Sequence, residues 1–199
     1  MATLNQIDEA VAALESGSLV VIPTDTLYGV AARADLPHAV EAIFAAKERP
    51  KERALPVLGA NVAALRSVAA FDQRALELAA TFWPGPLTLV LPRATGFGFD
   101  LGGIQDGSVA VRVPASPHAL AVLERSGPLA VTSANISGQA AAVTVAEARA
   151  ALRDSVAVYI DGGPAAGAPS TVLSLLGEPK VLRAGGLAAD LVLRAAGPR

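Results

Sequence analysis

The residues of this chain best suited to chemistry are cations and small hydroxyls, gathered in short polar clusters between oily runs. Lys47 and Arg49 stand one residue apart in Lys47-Glu48-Arg49-Pro50, at the end of an apolar stretch. Arginine offers a planar fork for two acceptor oxygens and lysine a compact charge, so the pair suits a polyphosphate or a carboxylate. The wider run, Lys47, Arg49, Lys51 and Arg53 against Glu48 and Glu52, also reads as a solvated helix end whose cations complement the helix dipole. Arg112 lies between Val111 and Val113 in a strand-like segment. An arginine beside an apolar core needs an anionic partner, either inside the protein or on a ligand carboxylate. Ser133-Ala134-Asn135 joins small size to an amide and a hydroxyl, which lets a nucleotide phosphate or adenine approach closely.

Three further clusters frame these. Pro23-Thr24-Asp25-Thr26-Leu27-Tyr28-Gly29 follows an apolar run, and Pro23 removes a backbone donor there. Its hydroxyls and carboxylate suit a pocket edge, or a capped turn with Tyr28 packed below. Trp83-Pro84-Gly85-Pro86-Leu87-Thr88 reads as architecture: a stiff turn with Trp83 in the core, holding Thr88 and the following strand. Ser170-Thr171 and Arg183 flank a hairpin turning at Gly177-Glu178-Pro179, and Arg183 suits a brace for a nucleotide.

Several chemistries are excluded. There is no cysteine, hence no disulfide, thiolate metal site or Cys nucleophile. No Walker sequence occurs and no Gly-x-Ser-x-Gly surrounds Ser133, while His38 and His118 both read as surface residues at helix starts. The net charge of −2 gives no global attraction for nucleic acid. Hydrophobic residues make up 52% and the mean hydropathy is +0.46, yet no apolar run approaches membrane-spanning length. The N-terminus lacks a signal-peptide layout, so a cytoplasmic location is expected, and the glycosylation pattern Asn135-Ile136-Ser137 is accidental.

The elements that must position these residues alternate along the chain. Helical spacing covers 5–16, a helix opened by Asp35 and Pro37, stretches capped by Asn61 and Asp72, one starting at Ser116-Pro117 and one from Thr144 to 152. Strands are expected at 18–22, 55–58, 87–91, 108–113, 129–132, 156–160, 171–176 and 180–183, with a glycine-rich loop over 95–107. With no repeat or linker, residues 1–199 read as one α/β domain built on a mixed sheet.

Taken in order, the joint pattern Pro-Thr-Asp-Thr-x-Tyr-Gly, Lys-x-Arg-Pro, Trp-Pro-Gly-Pro-Leu-Thr, Ala-Val-Arg-Val-Pro, Ser-Ala-Asn-x-Ser-Gly, Ser-Thr-Val and Val-Leu-Arg resembles the YrdC-like family of threonylcarbamoyl-AMP synthases, from about Ser18 to Gly186. That resemblance implies a twisted mixed sheet flanked by helices around a large concave cavity with a positive lining. It implies synthesis of threonylcarbamoyl-adenylate from L-threonine, bicarbonate and ATP, with Mg2+ entering on the ATP and no metal held by protein side chains. A separate threonylcarbamoyl-transferase complex would then receive the product for tRNA modification, with direct tRNA contact not required. By position, Lys47, Arg49, Ser133 and Asn135 look like the family's polar tetrad. Thr26, Arg112, Val131 and Ser170 resemble its threonine contacts, and Arg53, Ser108, Ala141 and Arg183, with Lys47, Arg49 and Ser133, its ATP contacts. Leu58 stands where some longer members carry histidine, Arg53 replaces a commoner asparagine or lysine, and the extra C-terminal domain of longer members is missing. Two rival readings are an RNA-binding module of the same fold, disfavoured by 4% aromatic content and net negative charge, and a paralogue with another substrate.

Overall fold

Strand side chains point alternately to the two faces of a sheet, and here the two faces meet different fates. The computed structural model describes residues 4–103 and 106–197. Residues 1–3 of the expected leaderless N-terminus and 104–105 of the expected glycine-rich loop lie outside the described residues. In chain order the elements are helix α1 (Leu4–Glu15), strands β1 (Val20–Pro23) and β2 (Tyr28–Arg33), α2 (Pro37–Lys47), β3 (Val57–Leu58), α3 (Val62–Leu65), α4 (Gln73–Phe82), β4 (Leu87–Pro92), β5 (Ser108–Arg112), α5 (Pro117–Ser126), β6 (Leu129–Ser133), α6 (Val145–Leu152), β7 (Val158–Tyr159), β8 (Thr171–Ser174), β9 (Lys180–Arg183) and α7 (Ala189–Ala196). The strands form one mixed sheet in the order β7-β1-β2-β6-β3-β5-β4-β8-β9. Pairs β1–β7, β3–β5 and β4–β8 run parallel; the other five are antiparallel.

The first face is fully covered. Val21, Val30, Val57, Leu87, Leu89, Val109, Val111 and Leu173 join one core with Val40, Ile43 and Phe44 of α2, Leu78 of α4, Leu152 of α6 and Val192 of α7. The second face is covered at one end only. There Ile7, Val11 and Leu14 of α1 and Val122 and Leu123 of α5 bury Val20, Ile22, Ala31, Leu58, Leu129 and Val131. Each fully buried aliphatic side chain contributes about 1.5–3 kcal/mol, so the apolar strand residues commit to these layers. Beyond α5 no helix among the described residues lies over the second face, and the strand residues pointing that way include Thr88, Ala110, Arg112 and Val172. The alternation in β5 is plain: Val109 and Val111 enter the core, while Ala110 and Arg112 line the open side.

Helix starts follow local chemistry. Asn61, Asp72, Ser116 and Thr144 each accept a hydrogen bond from the backbone three residues on, and Thr144 with Glu147 completes a capping box. Asp35 departs from expectation: Leu36 is the N-cap of α2, and Asp35 instead takes two bonds from the guanidinium of Arg33. Trp83 departs as well. It is half-buried at the rim of the first core, edge-on to Phe71 with ring centroids 6.1 Å apart. Its Nε1 donates to Leu87 O at 2.7 Å, because an indole N–H brought under cover needs an acceptor. That bond fixes the start of β4 and so the placement of Thr88. Strand β2 and helix α7 are not expected from the sequence; β2 begins within the polar cluster at Tyr28 and continues into Ala31-Ala32, a weak strand signal.

Replacing Thr144 by Ala removes one half of the capping box and is expected to lower unfolding free energy by about 1 kcal/mol, with Thr144→Ser near wild type; urea unfolding measures both.

Candidate functional site

The open part of the second face forms a cleft of about 320 Å³, lined among others by Thr26, Arg49, Leu58, Thr88, Arg112, Val131, Ser133, Ser170 and Arg183. This volume lies at the lower end of small-molecule sites, so it does not by itself bear out the large cavity expected. Leu58, Ala110 and Val131 give the cleft an apolar floor, and cations and hydroxyls stand around it.

Arg112 is the most constrained of these groups. Its side chain is 6% exposed, and three of its five N–H groups are engaged. Nε donates to Gly85 O at 2.9 Å, one Nη1 hydrogen to Thr26 Oγ1 at 2.9 Å, and one Nη2 hydrogen to Asp25 Oδ1 at 2.5 Å. Burial lowers its pKa and the Asp25 carboxylate opposes that shift, so the guanidinium stays charged. The choice left open by the sequence, an internal partner or a ligand, is resolved as an internal ion pair on a residue that also lines the cleft. Thr26 is set in turn by Thr24, whose hydroxyl lies 3.0 Å away and closes the four-residue turn by donating to Leu27 O at 2.6 Å. The alternatives of pocket edge and capped turn are thus both realised in one segment.

Lys47 and Arg49 part company. Between them Glu48 adopts left-handed backbone, φ 49° and ψ 41°, ending α2 while its N–H reaches Ala45 O and the Arg49 N–H reaches Phe44 O. Lys47 turns inward and is 1% exposed. Its Nζ donates to Ser133 O, to Asn135 O at 2.5 Å and to Asn135 Oδ1 at 3.4 Å. Asn135 Nδ2 donates onward to Ile136 O and Gln139 O, both at 2.9 Å, so these two side chains brace the loop behind the cleft. Ser133, at the end of β6, is the member of this loop that lines the cleft. Burial, with the Arg49 charge second, pulls the Lys47 ammonium down to about 8. Arg49 faces the cleft, with Nε donating to Arg53 O at 3.0 Å and Nη2 to Ala54 O at 3.1 Å. Its pKa is lowered by burial first and by Arg53 second.

Across the cleft Ser170 Oγ lies 2.7 Å from Thr88 Oγ1. Arg183 Nη2 donates to Ser170 Oγ at 3.0 Å and to Ser170 O at 2.9 Å, tying edge strand β9 to this rim. Gly185 allows the approach, since a Cβ there would stand 2.3 Å from Pro169 O. Besides Lys47 and Asn135, three expected residues lie off the lining. Arg53 is exposed on the turn beside Arg49, Ala141 lies in the loop before α6, and Ser108 starts β5 on the same face as Ala110, about 7 Å further out. The sequence offers the Asp25 carboxylate for a pocket edge without naming Arg112 as its partner, and it gives Thr88 no site role.

Residues 12–185 match the profile of the Sua5/YciO/YrdC family, described as telomere recombination. A Mycobacterium tuberculosis protein provisionally named threonylcarbamoyl-AMP synthase is 41% identical over 194 residues, covering 96% of this chain and 89% of that protein. The threonylcarbamoyl-AMP synthase of Bacillus subtilis is 36% identical over 205 residues, covering 97% of this chain and 57% of its own length. Among solved structures, Pyrococcus abyssi Sua5 complexed with L-threonine superposes with a TM-score of 0.91 at 38% identity, over 96% of this chain and 57% of that one.

The Lys47 shift carries a stability signature. Its folded pKa is depressed toward 8 from 10.5, so between these values the unfolded chain binds the extra proton and the folded state gains stability as pH rises. The unfolding free energy of wild type minus that of Lys47→Met is expected to rise from pH 8 to 10.5, by at most about 3 kcal/mol. Urea unfolding of both proteins across that range measures it, and a flat difference would contradict the burial described for Lys47.

Proposed function

The chain belongs to the Sua5/YciO/YrdC family, and from that premise we propose that it is a threonylcarbamoyl-AMP synthase, converting L-threonine, bicarbonate and ATP into threonylcarbamoyl-adenylate, pyrophosphate and water. The observation that carries this reading is the cleft itself: three arginines, Arg49, Arg112 and Arg183, and several hydroxyls converge on one apolar floor. Arg112 keeps one N–H on each terminal nitrogen outside its internal bonds, enough to hold an amino-acid carboxylate at two points. Thr26, Val131 and Ser170 then surround the rest of the threonine.

The chemistry asks little acid–base work of the protein. The threonine amine must be neutral to take up CO2 from bicarbonate, and a partly desolvated cleft favours that form. The carbamate oxygen then attacks the α-phosphorus of ATP and pyrophosphate leaves, a step governed by alignment and by neutralising negative charge. Arg49 supplies charge at the rim, joined by Arg183, while Ser133 offers its hydroxyl and Lys47 and Asn135 hold the loop that carries it. Ser108 lies on the outward continuation of the same face, and in this reading Ser108, Arg53 and Ala141 serve ATP once the nucleotide fills the open side.

Among the described residues no three His, Cys, Asp or Glu side chains come together to cage a metal, and Asp25 is already committed to Arg112. In this reading Mg2+ enters with ATP, as the MgATP substrate. The product passes to a separate transferase that modifies tRNA, a cytoplasmic role; among the described residues no helix is long and apolar enough to cross a membrane.

The reaction is tested by incubating the chain with ATP, Mg2+, labelled bicarbonate and L-threonine and seeking the labelled adenylate by mass spectrometry. Pyrophosphate released equally well without threonine would defeat the substrate assignment, and salt-sensitive RNA binding without ATP consumption would favour the RNA-binding reading. Arg112→Ala is expected to raise the threonine KM at least about tenfold, and Arg49→Ala to lower kcat about 100-fold.

A further inference from the structure

The carboxylate of Asp25 is held as firmly as the arginine it faces. Oδ1 accepts from Arg112 Nη2 at 2.5 Å and from the Ala115 N–H at 2.9 Å, and the pair is 6% and 15% exposed. Asp25 sits inside a four-residue turn locked by Thr24, so its position does not depend on Arg112 alone. Because Gly85 O and Thr26 Oγ1 take two further N–H groups, the guanidinium plane is fixed from three sides.

We infer that Asp25 is a positioning residue for the threonine carboxylate: it holds the guanidinium of Arg112 in the one orientation that turns its remaining two N–H groups to the cleft. This rests on the reaction proposed above. Two effects of Asp25 on a bound amino acid oppose each other. Its negative charge repels the ligand carboxylate, whereas its bond orients the group that receives that carboxylate. The repulsion is offset by the positive guanidinium with which Asp25 is already paired. A mis-set guanidinium, in contrast, loses a charge-assisted hydrogen bond outright, a loss of about tenfold or more in affinity. Orientation wins, so neutralising Asp25 weakens threonine binding although it makes the site more positive.

The experiment is calorimetric titration of L-threonine and of L-threoninamide, which lacks the carboxylate, into wild type and Asp25→Asn. Threonine is expected to bind the variant about tenfold more weakly, with threoninamide affinity unchanged. Threonine binding that is unchanged or tighter overturns the inference, and so does an equal loss for both ligands, which marks general damage to the cleft. Should Asp25→Asn not fold, Asp25→Glu keeps the charge while displacing it by one methylene, and is read against the same outcomes. Wild type that neither binds threonine nor forms the adenylate removes the proposed reaction instead, so the two failures are distinct.

Discussion

An ammonium withdrawn from water must replace its hydration shell with other oxygens, and Lys47 finds them on a single loop. Ser133 O, Asn135 O and Asn135 Oδ1 surround Nζ, and among the described residues no acidic side chain bonds to it. The backbone reciprocates: the Ser137 N–H donates to Lys47 O at 2.8 Å. The end of α2 and the end of β6 are thus joined by both the main chain and the side chain of one residue. Carbonyl dipoles are weaker partners than a carboxylate, which is why burial still pulls the Lys47 pKa down. The arrangement tolerates that cost because removing the lysine would strand carbonyl oxygens under cover, and buried unpaired acceptors are themselves expensive. Ser133 owes its place on the cleft to this knot.

The cleft exists because the sheet is wider than its second helical layer. Helices α1 and α5 cover the β7-β1-β2-β6-β3 end, where Leu58 is buried, leaving β5, β4 and β8 bare on that side. Along this stretch the apolar Ala110 and Val172 are interspersed with the polar Thr88, Arg112 and Ser170. Arg112 draws distant pieces of chain together, since its acceptors come from the turn after β1 and from the loop before β4. Polar clusters far apart in sequence therefore share one guanidinium.

How much of this could be read beforehand depends on whether local chemistry or tertiary packing decides. The caps at Asn61, Asp72, Ser116 and Thr144 are local, and the structure has them where residue type places them. The alternation in β5 likewise exposes Arg112 as facing away from its valines. Asp35 was misread because an arginine two residues before it competes for the carboxylate. Trp83 is less buried than its size suggests because its N–H keeps it at the rim, near a carbonyl. The spacing of Lys47 and Arg49 suggested a pair acting on one ligand. What it does not reveal is the backbone between them, and that backbone sends one cation into the interior and the other to the cleft.

The divergence rests on Glu48, a residue with a Cβ in a conformation that glycine adopts more comfortably, at a cost of about 1 kcal/mol. Glycine would ease that strain, yet it would also let the following turn wander. The hinge between helix and loop is therefore stiffer than the relaxed alternative, and the direction in which Arg49 departs is inherited from the last turn of α2. Rigidity at that corner is drawn from the stability of the whole molecule, so the corner would be the first place where selection for a tougher protein and selection for a well-aimed arginine pull in opposite directions.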